Sequence, residues 1–287
     1  MAETNMALNE TRARSKRPAL PPEIYVGGTL LLVVAALAIF APFIAQFDPQ
    51  SINPLARLAP PSPEHWFGTD RMGRDIFSRA IYGSRSSLIV GLAVATLAIV
   101  IGLTIGLVAG YIRALDGIVM RIMDGLMAIP PILLAIALMA LTRASIGNVI
   151  LAITIAEVPR VTRLVRSVVL SLREQPFVEA AHAAGTPGWR ILVRHILPNT
   201  VPPLIVQATY VCASAIIIEA ILSFLGAGTP PNIPSWGNII AEGRNLFQVA
   251  PYIVIVPSIF LSLTVLAVNL LGDGLRDALD PRLARRM

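Results

Sequence analysis

The sequence predicts an all-α membrane protein with six transmembrane helices. Three observations carry this. Hydrophobic residues make up 55% of the 287 and charged residues only 14%. The apolar residues gather into long runs, and the arginines sit beside those runs. Ordinary globular domains carry roughly 25% charged residues, so this apolar excess is more than a soluble core of the same size needs. The natural solvent of such a chain is lipid.

A helix needs about 20 apolar residues to cross roughly 30 Å of hydrocarbon. The first such run is Ile24 to Phe47 and the second Ser86 to Ile112. The third, about Ile122 to Leu141, contains Pro130-Pro131 as an expected kink. The fourth starts at Asn148 and fades into arginines beyond Pro159. The fifth covers Val201 to Leu225 and the sixth Val249 to Leu271. The expected division is a cytoplasmic tail (1–23), a first transmembrane helix (24–47), an outer loop with an interfacial helix (48–85), a five-helix core (86–272) and a second cytoplasmic tail (273–287).

Arg12, Arg14, Lys16 and Arg17 before an apolar stretch, with Ala36-Leu37-Ala38 inside it, also fit a cleaved signal. The run continues to Phe47, too long for a signal's apolar region, so a retained first span is the expectation.

Net charge is +6, nearly all from arginine, because Lys16 is the only lysine. The arginines flank apolar runs instead of forming one basic face, which speaks for membrane anchoring and against nucleic acid. Arg113, Arg121, Arg160, Arg163, Arg166, Arg173, Arg190, Arg194 and Arg276 fall on the side that also receives the N-terminal cluster. Positive charge favours the cytoplasm, so both termini are expected inside. The loop with Arg57, Arg71, Arg74, Arg79 and Arg85 runs against this rule, although Asp48, Glu64, Asp70 and Asp75 accompany it. Cys212, the sole cysteine, lies in an apolar run, which leaves no disulfide framework and no thiol metal site.

Between the first two spans the loop is proline-rich, then amphipathic. Ile76, Phe77, Ala80 and Ile81 recur at helical spacing opposite Arg74, Asp75, Ser78 and Arg79, as in a short helix lying along the outer interface. In the second span, Ala98, Gly102, Gly106 and Gly110 make a flat ridge of small residues. Such a ridge admits another helix closely, either in a partner subunit or within this chain.

Between spans four and five, 167–199 are too polar to cross a membrane. Gln175-Pro176 opens a helix and Gly185 closes it. Thr186 is placed to cap a second helix over Arg190 to Leu197, and Pro198 to stop it. Ala180, Ala181, Ala183 and Ala184 leave the first helix nearly smooth, with Glu179 and His182 as polar handles. A helix of this kind suits insertion into a groove on another protein; it also suits a plain surface connection.

The string Glu179-Ala180-Ala181, then Gly185, then Leu197-Pro198 resembles the signature loop of integral-membrane subunits of ABC importers. Where the general pattern has isoleucine this chain has His195, and His195 to Asn199 are similar to the peptide and nickel branch. His65 to Asp70, Gly73-Arg74-Asp75 and Ser78-Arg79 resemble the stretch before the second span in C-type subunits of that branch. Glu219 to Gly226 and Pro234 to Asn238 resemble the end of its fifth span and the loop after it. The resemblance implies a type I permease fold. It implies that Phe177, Glu179, Ala180, Ala181, His182, Gly185, Leu197 and Pro198 belong to a coupling loop docking on an ATPase subunit. It further implies a homologous second permease, two ATPase subunits, an external binding protein, and dipeptides, oligopeptides or nickel as cargo, with glutathione and small oligosaccharides behind.

The chain itself offers no engine. A phosphate-binding loop needs lysine after a glycine-rich turn, and Thr11 to Ser15 before Lys16 contain no glycine. No cofactor is therefore expected here; ATP and magnesium belong to the partner ATPases. His65 falls on the opposite side from His182 and His195, and no nucleophile motif of the Gly-x-Ser-x-Gly type occurs, so no enzyme is expected.

Glu219, in span five, reads either as a gate or pathway residue or as an interhelical hydrogen-bond partner. Arg160, Arg163 and Arg166 share a sector of span four; snorkelling to lipid phosphates or a subunit contact explains them, and Glu157 reaches Arg160. Trp236 reads as an interfacial anchor or a binding-protein contact. Two rival classes stand beside the importer. A secondary transporter needs half-repeats and intramembrane ion ligands, and no repeat is visible. A membrane scaffold shares the hydropathy but gives no reason for the hairpin.

Overall fold

The computed structural model describes residues 20–279. The basic cluster at 12–17 and the arginines beyond residue 279 lie outside them. Among the described residues the chain is helical, its only β pairing an isolated bridge between Thr69 and Asp75.

Helix α1 (Pro22–Ile39) starts with proline in its first turn and leaves most of its apolar surface exposed. It packs on the last helix through Gly27, where an added Cβ would lie 2.6 Å from the Leu271 amide nitrogen. The expected continuous span to Phe47 is broken after Ile39. Pro42 has no N–H for the Ala38 carbonyl, so the chain turns at Phe40 and restarts as α2 (Ala41–Ile44).

The expected interfacial helix is instead the first turns of one long helix, α3 (Ile76–Tyr111). Its apolar and polar residues are both buried there: Ile76, Ala80 and Ile81 are 0% exposed and Arg79 only 1%. The amphipathic pattern misled because the polar face meets carboxylates, not water. Asp75 caps the helix, its Oδ2 accepting from the Ser78 amide at 2.8 Å.

The small-residue ridge of α3 packs within this chain. It faces α6 (Ile146–Arg173), where Cβ atoms added at Gly102, Gly106 and Gly110 would sit 2.6, 2.7 and 2.8 Å from the Cβ atoms of Val161, Val165 and Val169. Replacing Gly106 with leucine forces the two helices apart. The expected cost is about 1–3 kcal/mol, read as earlier unfolding in a denaturant titration of the detergent-solubilised protein, with Gly117→Leu, which meets open space, as the neutral comparison.

Between these helices the third expected span is broken at Pro130-Pro131. Helix α4 (Arg113–Met127) and α5 (Pro131–Ala140) meet at 85°, a sharper bend than a kink. Ser145 then caps α6, accepting from the Asn148 amide at 3.1 Å.

After α6 come α7 (Pro176–Ala183) and α8 (Gly188–Ile191), then a π turn over Leu192–Ile196 that runs directly into α9 (Leu197–Phe224). Thr186 does not cap this second arm; Pro187 holds the cap position with no side-chain bond. Nor does Pro198 stop the helix. In the π turn the Leu197 amide reaches back to the Leu192 carbonyl, and the altered register accommodates a proline that would clash in a regular α-helix. Gly188–Phe224 is in effect one 37-residue helix. Two further helices, α10 (Trp236–Gly243) and α11 (Tyr252–Leu279), complete the described residues.

Among the described residues four helices are long and apolar enough to cross a membrane: Pro22–Ile39, Ile76–Tyr111, Gly188–Phe224 and Tyr252–Leu279. Counting the bent α4–α5 pair makes five. Helix α6 has the length, at 28 residues, but carries Glu157, Arg160, Arg163, Arg166 and Arg173.

Candidate functional site

At the arginine-rich end, α7 and α8 form a hairpin anchored by three residues. Val178, Ile191 and Ile196 are 0% exposed and join the main apolar core. Local chemistry shapes the turn: Gly185 takes φ +74°, its amide bonds to the His182 carbonyl at 3.0 Å, and the Thr186 amide bonds to the Ala181 carbonyl at 3.0 Å. These two bonds make a Schellman cap, in which glycine tolerates the left-handed backbone.

Around those anchors the hairpin presents an open surface. Phe177, Glu179, Ala180, His182 and Gly185 are exposed, while Ala181 is half-buried against the core. The Phe177 ring lies 6.4 Å from that of His195, so the two arms touch. Leu197 and Pro198 stand one step further along, inside the continuous helix. Sequence reasoning passed over the second arm's contribution: Trp189 is 65% exposed and Val193 54%. The Arg190 guanidinium lies 5.4 Å from the Trp189 ring centre. A tryptophan directly after the Pro187-Gly188 turn was the available signal.

The arginines of α6 have protein partners. Arg160 lies 3.4 Å from Glu157, Arg163 is 2.6 Å from Asp124, and Arg166 makes a two-pronged pair with Asp116. Arg163 and Arg166 thus bind the polar face of α4 within the chain, where lipid phosphate or a subunit was expected. Arg173 Nη1 donates to the Gly110 carbonyl at 2.8 Å, tying the end of α6 to the end of α3.

At the opposite end Glu219 is 0% exposed. Ser223 donates to its Oε1 at 2.8 Å and Thr229 at 3.2 Å, and Ser87 reaches Oε2 at 3.4 Å. Hydroxyls thus surround the carboxyl group. Asn238 extends the network to Thr229 Oγ1 at 3.0 Å. Trp236 is likewise 0% exposed; its indole N–H donates to the Ala80 carbonyl at 3.0 Å. It is a core residue, neither anchored in an interface nor open to a partner. Its approach to α3 allows little room, since a Cβ at Gly83 would lie 3.1 Å from the indole.

Beside this network lies a buried charge cluster. Arg79 Nη1 is 2.5 Å from Asp70 and 2.7 Å from Glu242, and Arg74 bonds the same two carboxylates at 2.7 and 2.5 Å. His65 Nδ1 lies 3.0 Å from Asp75. The cluster pins the loop before α3 to α10. His65 is therefore at the far end of the molecule from His182 and His195, which belong to the hairpin.

An exposed hairpin thus stands at one end of a bundle of helices apolar enough to cross a membrane. Residues 98–285 match the family model of the binding-protein-dependent transport system inner membrane component, and residues 25–61 match the N-terminal TM domain of oligopeptide transport permease C. The chain belongs to this family of ABC transporter permeases, and its N-terminal match is that of a C-type subunit.

It is 57% identical over 265 residues to the probable peptide ABC transporter permease protein y4tQ of Sinorhizobium fredii, covering 92% of this chain and 91% of that one. It is 47% identical to the dipeptide transport system permease protein DppC of Alkalihalophilus pseudofirmus, covering 90% and 85%. To the glutathione transport system permease protein GsiD of Pectobacterium atrosepticum it is 44% identical, covering 89% and 86%. Among solved structures, inward-facing MetNI methionine ABC transporter matches with a TM-score of 0.59 at 21% identity, over 70% of this chain and 96% of that one. That match establishes a shared permease fold. The chain is a transport subunit with several membrane-crossing helices.

Proposed function

We propose that this chain is one of two homologous permease subunits in an ATP-driven importer of dipeptides or oligopeptides. The observation that carries the reading is the hairpin, where Phe177, Trp189 and Val193 are exposed on an arm fixed from below by Val178, Ile191 and Ile196. Exposed aromatics on a rigid element are typical anchors for a partner's pocket. The partner is an ATPase subunit: two such subunits bind ATP and magnesium, and an external binding protein delivers the cargo. The permease hydrolyses nothing.

In this reading α6 and the α4–α5 pair each count as a crossing, giving six in all. The hairpin then lies in the cytoplasm together with both termini, and the charge cluster with Glu242 lies outside. Residues 48–75 form the outer loop, and the hairpin couples ATPase closure to alternating access. Glu179, Ala180, Ala181, His182 and Gly185 form the docking face with Phe177, while Leu197-Pro198 transmit its movement. The peptide assignment rests on the names of the relatives. Glutathione, itself a tripeptide, is the second reading, supported by the GsiD relative; nickel and small oligosaccharides have weaker claims.

The test is uptake by vesicles holding the complete transporter and its binding protein. Dipeptide accumulation is expected to require ATP and to survive an uncoupler. Accumulation that collapses with the proton gradient and ignores ATP overturns the reading. Ligand titrations on the binding protein then separate dipeptide from glutathione.

A further inference from the structure

At the root of the hairpin a polar cavity of about 430 Å³ opens between the ends of α3, α4 and α6. Arg113, Arg166 and Arg173 line it, together with Asp116 and Glu174. The three arginines are not equivalent. Arg166 is committed to Asp116 through two bonds. Arg173 is held in place by the carbonyls of Gly110 and Tyr111 and lies 5.8 Å from the Tyr111 ring centre. Neither Arg173 nor Arg113 makes an ion pair among the described residues.

Arg113 is also the first residue of α4, a 15-residue helix with no side-chain cap. The free N–H groups and positive dipole end of that helix therefore add to the arginines. Three guanidinium groups against two carboxylates leave an excess of positive charge, in a concave site held by bonds to backbone carbonyls. Leu170 lines the cavity together with the arginines, so charge and apolar surface meet there as they do in the two parts of a phospholipid.

We propose that this cavity binds the phosphate of an anionic phospholipid headgroup, with Arg113 and Arg173 as the contacting cations and Arg166 positioned by Asp116. The acyl chains leave the cavity along Leu170. The site joins the ends of α3 and α6 directly below α7, so an occupied headgroup stiffens the base of the hairpin. The proposal rests on this end meeting a bilayer surface and is independent of the cargo.

The experiment uses the assembled transporter purified in mild detergent, its retained lipid counted by native mass spectrometry after incubation with equal phosphatidylglycerol and phosphatidylcholine. Wild type is expected to retain phosphatidylglycerol selectively. Arg113→Gln and Arg173→Gln are each expected to weaken retention about fivefold, and the double change to abolish selectivity. The Arg113→Lys, Arg173→Lys pair keeps the charge and most of the retention, and co-purification of the partner subunits reports the fold of every variant. Equal selectivity in wild type and the double glutamine variant overturns the site. Inorganic phosphate that binds delipidated protein and displaces the phosphatidylglycerol assigns the same cations to a free anion and overturns the lipid source. Neither failure bears on uptake.

Discussion

Glu242→Ala is expected to destabilise the chain by about 3–5 kcal/mol. Arg79 is 1% exposed and has two carboxylate partners, Asp70 and Glu242, at 2.5 and 2.7 Å. Its Nε has no partner at all, so the charge is already held by one edge of the guanidinium. Removing Glu242 leaves Arg74 and Arg79 sharing Asp70 alone, with an unbalanced cation out of water. Breaking a buried pair on one side costs far more than the net worth of the pair, because the remaining charge has no solvent. Glu242→Gln, which keeps one acceptor oxygen for the arginines, falls between alanine and wild type. Denaturant titration of the detergent-solubilised protein measures the series. Wild-type stability of Glu242→Ala would show that water reaches Arg79 and that the cluster is not what joins α10 to the loop before α3.

The second large effect concerns the hairpin. Phe177→Ala combined with Trp189→Ala is expected to weaken ATPase docking by about 2 kcal/mol or more, the cost of truncating an aromatic hot spot. Peptide uptake falls accordingly by about 30-fold, the factor equivalent to 2 kcal/mol. Both side chains are substantially exposed, at 43% and 65%, so the folded permease itself changes by no more than about 0.5 kcal/mol. Ile191→Ala gives the opposite pattern, because that residue is 0% exposed and its loss unseats the arm. Co-purification of the ATPase, uptake, and thermal stability of the isolated permease separate the two. Undiminished docking in the double aromatic variant would place the contact elsewhere on this end.

The first arm of the hairpin was legible because its punctuation is local. Pro176 starts a helix wherever it stands in a first turn, and Gly185 ends one by the backbone angle it alone adopts cheaply. The apolar runs were legible for the same reason: hydrocarbon demands length and composition, both of which sit in consecutive residues. Pro198 misled because proline normally breaks a helix, and nothing in the neighbouring residues announces a π turn. The amphipathic pattern at 74–81 misled because the partners of its polar face lie elsewhere: Glu242 is 163 positions from Arg79. The pairs of Arg163 with Asp124 and Arg166 with Asp116 span 39 and 50 positions. Trp236 shows the converse, since an aromatic between polar residues looks superficial until α3 and α10 enclose it. Apart from the local proline breaks and the π turn, what escaped the linear reading was pairing made by the packing of distant segments.

The π turn has one further consequence. Because it lets the second arm of the hairpin continue into α9, Gly188–Phe224 forms a single rod. At 1.5 Å per residue its 37 residues span about 55 Å. One end carries Trp189; near the other, Glu219 is locked among hydroxyls. Such a rod is a lever. Turned by about 10° around its midpoint, it moves each end by roughly 5 Å in opposite directions, about one helical turn. The exposed tip of the hairpin and the hydroxyl network around Glu219 therefore sit on one continuous helix.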